Sequence, residues 1–174
     1  MGNRWYVITG GPCSGKTTLI QELARRGFRT VPEAARAILA AGRARGETVA
    51  QMHADELGFQ RTVLAEKIRA EEALPKDSVA FLDRGIHDSA VYFARAGYAD
   101  DPTLRMALRT ASYSKAFLLA LLPYTQDAER VETEAEAEAL HTAIRAAYQA
   151  AGIPIIEVPV GPVEERADFV LRHL

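Results

Sequence analysis

Gly10-Gly11-Pro12-Cys13-Ser14-Gly15-Lys16-Thr17 has the spacing G-x-x-x-x-G-K-[ST], in which a glycine-rich turn closes its backbone N–H groups around a polyphosphate. Glycine allows the positive φ angles that such a turn needs. The helix that should follow adds positive potential at its N-terminus, and Lys16 bridges the terminal phosphates. Thr17 places its hydroxyl on Mg²⁺. Gly11, Pro12, Cys13, Ser14, Gly15, Lys16, Thr17 and Thr18 are therefore the expected nucleotide-binding residues. Cys13 reads as a small filler at a variable position of the turn rather than as a redox group.

A second group follows the apolar run Val79 to Leu82. Asp83 stands where a carboxylate would complete the magnesium shell, and Arg84 could reach a transferring phosphate with its bidentate fork. Asp88, four residues on, is expected to face the same crevice as a substrate contact. The plainer reading of Asp83-Arg84-Gly85 is a helix-capping turn with a surface ion pair. Glu33 follows the second short strand candidate, Phe28 to Val31, and could accept the proton of an attacking substrate hydroxyl. It could equally be a first-turn helix acid favoured by the macrodipole. Arg36 is either a substrate contact or the partner of Glu33.

Gln60 and Arg61 lie on a long helical stretch and are candidate readers of a substrate. The polar loop Asp127-Ala128-Glu129-Arg130 is suited to act as a lid, with Arg130 as a phosphate-binding arginine. The expected catalytic set is thus Lys16, Glu33, Asp83, Arg84 and Arg130, with Thr17 and Asp83 on the metal. Glu33, Arg36, Gln60, Arg84 and Asp88 make up the substrate side. His53, His87, His141 and His173 have no metal-like spacing.

The elements that must position these groups follow from composition. Trp5 to Thr9, Phe28 to Val31, Ser78 to Leu82, Lys115 to Leu122 and Ile153 to Val160 are runs of apolar, aromatic and β-branched residues, and read as strands. Between them lie helical patterns: Lys16 to Arg26, and Ala34 to Ala41 with Gly42 as its cap. A long stretch from Val49 to Leu74 is broken, if anywhere, near Gly58. Ile86 to Ala96, Pro102 to Ala111, Glu134 to Ala151 and Val163 to His173 complete the helices. Strands alternating with helices imply an α/β fold, a parallel five-stranded sheet with helices on both faces. Ligands of such sheets bind beyond the carboxyl ends of the strands, where the motif residues fall.

The chain has 174 residues, close to one domain's worth. Net charge is −2, from 21 Lys+Arg against 23 Asp+Glu, which argues against non-specific binding to nucleic acid or an anionic membrane. The single Cys excludes an intramolecular disulfide. The most apolar run, Ala116 to Leu122, is far short of the roughly 20 residues that span a bilayer. Met1 to Arg4 carry no signal-peptide pattern, so a cytoplasmic protein with one domain over residues 1–174 is expected.

The chain resembles the P-loop domains grouped with ribosylnicotinamide kinase of the NadR type, within the AAA-like and nucleoside-kinase-like P-loop NTPases. The resemblance rests on Ile8 to Thr18, Val31-Pro32-Glu33-Ala34-Ala35-Arg36, Phe81-Leu82-Asp83-Arg84-Gly85, Asp127-Ala128-Glu129-Arg130 and Glu157-Val158-Pro159. It implies ATP or GTP binding with Mg²⁺ and, in the kinase members, phosphoryl transfer to a sugar hydroxyl. Deoxynucleoside kinases look similar at two points, a base after the second strand and an acid–Arg pair after the third, positions matched by Glu33, Asp83 and Arg84. The nucleotidyl-transferase domain of some members is missing, so no bifunctional role is expected. Two readings stand at this point. One is a kinase acting on a nucleoside-like or other small metabolite, and the other is a nucleotide-dependent ATPase or GTPase switch that binds a protein or lipid partner.

Overall fold

Trp5, Tyr6, Val7 and Ile8 are all buried. Neighbouring side chains on a strand point to opposite faces, so a run buried throughout belongs to a sheet covered on both sides. The computed structural model describes residues 4–122 and 133–174. Its strands are β1 (Arg4–Thr9), β2 (Arg29–Val31), β3 (Val79–Asp83), β4 (Lys115–Leu119) and β5 (Ile155–Val158). They form one parallel sheet in the order β2-β3-β1-β4-β5. The register sets Ile8 beside Asp83 and Thr9 beside Leu118. The carboxyl ends of β1, β3 and β4 therefore align at one edge, and the residues following them share one crevice.

The helices are α1 (Lys16–Arg25), α2 (Ala34–Ala44), α3 (Val49–Met52), α4 (Glu56–Glu72), α5 (Ile86–Arg95), α6 (Pro102–Thr110), α7 (Glu134–Ala150) and α8 (Val163–Arg172). One face of the sheet, with Tyr6, Ile8, Phe81 and Phe117, packs on Leu19, Ile20 and Leu23 of α1 and on Ala167 and Val170 of α8. The other face, with Trp5, Val7, Leu82 and Leu118, packs on Ile144 and Tyr148 of α7 and on Leu74 beyond α4. Each fully buried Leu, Ile or Phe contributes about 1.5–3 kcal/mol, so the sheet edge that carries the site is a rigid base. No helix among the described residues is long and apolar enough to cross a membrane.

One expected break is present and two boundaries depart from the sequence expectation. The stretch from Val49 to Leu74 breaks before Gly58, because Thr48 and Gln51 form a reciprocal cap on α3 and Asp55 then accepts the Gly58 N–H at 2.9 Å to start α4. Gly42 lies inside α2 and not at its cap, against the Met52 sulfur, and the chain turns at Gly46 with φ 85°. β4 stops at Leu119: Ala120 makes a last bond to the Val158 carbonyl, and Leu122 then turns its N–H to the Cys13 carbonyl at 3.2 Å. That turn lays Leu121 against Gly11.

Candidate functional site

The loop between β1 and α1 is built from left-handed backbone. Gly10, Cys13 and Gly15 have φ of 139°, 61° and 76°. A Cβ at Gly10 would stand 2.8 Å from the Leu119 carbonyl oxygen, so glycine is required there for space as well as for torsion. Cys13 holds its left-handed torsion at a cost of about 1–2 kcal/mol, strain of a kind that concentrates at binding sites. Ser14 Oγ donates to the Gly11 carbonyl at 3.0 Å, and Lys16 Nζ donates to the same carbonyl at 2.7 Å and to Ser14 Oγ at 3.2 Å. Burial, then the Arg84 charge, push Lys16 down to about 7, against the pull of Asp83, Glu33 and Asp88. Thr17 is half-buried in the first turn of α1, and the exposed Thr18 returns its hydroxyl to the Gly15 carbonyl at 2.8 Å.

Arg84 connects this loop to both neighbouring strands. It leaves β3 with φ 66°, its N–H bonding the Ile8 carbonyl at 3.0 Å. Nη1 donates to the Gly10 carbonyl and to Asp88 Oδ1, each at 3.2 Å, while Nε donates to Glu33 Oε1 at 3.1 Å. The guanidinium carbon also lies 5.5 Å from the centre of the Tyr92 ring. Glu33, after β2, is thus drawn to the phosphate-loop edge. Burial would raise its pKa, but Arg84, Lys16 and Arg36 outweigh that and keep it ionised.

Asp88 presents no free oxygen to the crevice. It is fully buried. Oδ1 accepts from Thr9 Oγ1 at 2.6 Å and from Arg84, and Oδ2 accepts from Tyr148 Oη at 2.6 Å and from the Gly85 N–H at 2.9 Å. Burial pushes its pKa up, yet Arg84, Lys67 and the two hydroxyls hold it below the usual carboxylate range. The side chain expected as a substrate contact is thus engaged at both oxygens and holds Arg84 in place.

Asp83 behaves differently. It is nearly buried, and its Oδ1 has no hydrogen-bond partner among the described residues. Burial and the nearby Glu33 push it up to about 6, with Lys16 and Arg84 opposing. An unsatisfied buried carboxylate oxygen at the strand end beside Lys16 has the chemistry a hard cation needs.

The remaining sequence candidates divide. Arg36 is exposed and faces Glu33 at 3.7 Å, as its plainer reading had it. Gln60 is buried, donating to Glu56 Oε1 at 2.8 Å, two turns along α4 from Lys67. Arg61 is committed elsewhere: Nε and Nη2 both reach Asp101 Oδ2, at 2.9 and 2.7 Å, beside the Asp101 oxygen that caps α6. Arg130 lies outside the described residues.

Four other residues at the site carry no motif. Lys67 on α4 donates to the Gly85 carbonyl at 2.8 Å and to Ser89 Oγ at 3.0 Å. His141 Nδ1 accepts the Gly11 N–H at 3.3 Å. Tyr148 holds Asp88, and Arg166 on α8 donates to the Ser14 carbonyl at 2.9 Å. Tyr148 and Arg166 occupy the buried faces of amphipathic helices, the one sequence signal they have, whereas Lys67 and His141 have no such signal.

A loop of backbone donors closed on a lysine, beside an Asp–Arg pair at the end of the adjacent strand of a parallel sheet, defines a P-loop domain of the nucleoside- and nucleotide-kinase-like fold. The chain belongs to the family described as AAA domain, which matches residues 5–166. The NadR protein solved in complex with NR has the same fold, with TM-score 0.72 and 17% identity over 98% of this chain and 51% of that one. The NadR protein in complex with NAD and AMP-PNP gives TM-score 0.68 and 16% identity over 98% and 49%. Thymidylate kinase from Ehrlichia chaffeensis gives 0.65 and 11% over 99% of each chain. The chain therefore spans about half the length of those NadR chains, and at these identities the likeness establishes the fold. No curated protein matches the chain.

Proposed function

We propose that the protein is a kinase that transfers the γ-phosphoryl group of ATP or GTP to a hydroxyl of a nucleoside-like or other small metabolite. The observation that carries this reading is the convergence of Glu33 and Arg84 on the phosphate loop, through the 3.1 Å bond between them and the 3.2 Å bond from Arg84 to Gly10. A pure nucleotide switch has no need of an ionised carboxylate fixed beside the arginine that faces the transferring phosphate. Structural likeness to a NadR protein with bound NR and to a thymidylate kinase supports the class.

In this mechanism Lys16 and the loop amides hold the phosphates. Thr17 and the unpartnered oxygen of Asp83 would hold Mg²⁺, which would supply neutralisation of charge on the triphosphate. Glu33 accepts a hydrogen bond from the acceptor hydroxyl and takes its proton as the oxygen attacks the γ-phosphorus. The bond to the bridging oxygen breaks, and its electrons leave with the nucleoside diphosphate. Arg84, fixed by Asp88, stabilises charge on the phosphoryl group in flight. Arg130 would add a second arginine from the segment following β4.

The test is Glu33→Gln, assayed with γ-labelled ATP and GTP against a panel of nucleosides, sugars and nucleoside monophosphates. The wild type should phosphorylate a hydroxyl acceptor, and the variant should bind nucleotide normally while transferring at least about 10²-fold more slowly. Full transfer by the variant would reduce Glu33 to a helix-start acid. A wild type that binds or hydrolyses nucleotide yet labels no acceptor would move the assignment to the switch.

A further inference from the structure

Arg166 is a buried cation for which the mechanism above has no use. It is the fourth residue of α8 and only 6% exposed. Nη1 donates to the Ser14 carbonyl at 2.9 Å, whereas Nε is buried with no partner among the described residues. Arg84 is buried to a similar degree but has two carboxylates. Arg166 has none among the described residues: burial depresses its pKa and no neighbouring acid raises it. Charges that proteins bury are ordinarily paired. The counter-charge here is missing from the described residues, and the group lies against the phosphate loop.

The contact is close and specific. A Cβ on Gly15 would stand 2.8 Å from both terminal nitrogens of Arg166, so Gly15 is needed for that approach as well as for its φ of 76°. Packing of Ala167 and Val170 against Leu19 and Leu23 holds α8 on α1 and keeps Arg166 in place. In a trans peptide the C=O and N–H point in opposite directions. Drawing the Ser14 carbonyl toward Arg166 therefore turns the Gly15 N–H away from α8 and into the loop. A carbonyl bonded to a cation also polarises its own amide, which strengthens that N–H as a donor.

We propose that Arg166 is a positioning residue for the donor nucleotide: it fixes and polarises the Ser14–Gly15 peptide so that the Gly15 N–H meets the phosphate chain, which supplies the anion its own buried charge lacks. This rests on the nucleotide-binding reading of the loop and is independent of the acceptor. The device acts on phosphate charge, so it strengthens binding of di- and triphosphates and leaves nucleoside binding unaltered.

The test compares wild type, Arg166→Gln and Arg166→Lys by calorimetric titration with ATP, GTP and the corresponding nucleosides, alongside melting without ligand. Arg166→Gln should lose at least about 10-fold in triphosphate affinity, as for loss of one charge-assisted bond, with nucleoside affinity and acceptor KM unchanged. Arg166→Lys keeps the charge but not the fork, and should lose about 3-fold with an unchanged melting temperature. Should Arg166→Gln fail to fold, the lysine variant decides. Wild-type triphosphate affinity in the folded variants overturns the proposal, as does an equal loss for nucleoside and triphosphate. Lys16→Ala serves as the control: if it too binds triphosphate like the wild type, the nucleotide-binding reading of the loop fails, and not merely the role of Arg166.

Discussion

Tyr148 of α7 donates its hydroxyl to Asp88 of α5 at 2.6 Å, across 60 residues of sequence. The bond ties the helix preceding β5 to the carboxylate that orients Arg84, with Thr9 of β1 holding the other oxygen. The orientation of Arg84 thus depends on three separate elements of the sheet and its cover.

Tyr148→Phe removes one acceptor's partner and leaves Asp88 Oδ2 with the Gly85 N–H alone. A buried group losing one of its bonds costs about 1–3 kcal/mol of stability. Because Asp88 then holds Arg84 less firmly, kcat should fall several-fold while donor affinity stays near the wild type. Urea unfolding with steady-state kinetics checks both, and unchanged kcat would make the tyrosine purely structural.

Arg84→Lys keeps a positive charge but cannot span Gly10, Asp88 and Glu33 with one planar fork. Turnover should drop by on the order of 10², as for loss of a preorganised donor at a transition state. Single-turnover transfer rates measure this directly, and a loss of only a few-fold would assign the arginine to a structural ion pair.

Lys16 titrates near 7 in the free protein because burial and Arg84 disfavour its charge. A bound triphosphate restores an anion beside it and raises that value again. At pH 8 the free lysine is mostly neutral, so nucleotide binding should take up close to one proton. At pH 6 the lysine is already charged and the uptake from it should vanish. Calorimetry in two buffers of different ionisation enthalpy counts these protons.

Glu71 is pushed up to about 7 by burial, with the Tyr113 hydroxyl at 2.6 Å and Lys67 opposing. Between its ordinary value of 4.5 and about 7 the unfolded chain ionises this carboxyl while the folded chain keeps its proton. The folded state then binds more protons, so this group's contribution to stability falls as pH rises through that window. Glu71→Gln retains the oxygen that Tyr113 needs and removes the titration. Its stability relative to the wild type should improve by a few kcal/mol between pH 4.5 and 7.5, read from denaturant midpoints at each pH.

The phosphate loop and the alternation of strands and helices were determined by the sequence alone, because both are local. The loop needs a run of eight residues, Gly10 to Thr17, and each strand a short apolar run. The placement of Glu33, Asp83 and Arg84 at one edge was also legible, since parallel strands put the residues that follow them together. Helix breaks were less so: Gly58 looked like the breaker, whereas the cap on its own N–H, Asp55, sets the boundary. What each charge pairs with was decided only by the tertiary structure. Asp88 is engaged by Thr9 and Tyr148, 79 and 60 residues away, and Arg166 reaches Ser14 across 152. Charge and hydrogen-bonding capacity are properties of single residues, but burial and partners are properties of the packed chain. Only packing makes Asp88 a support for Arg84, Arg61 a brace for α6, and Arg166 a cation set against the phosphate loop.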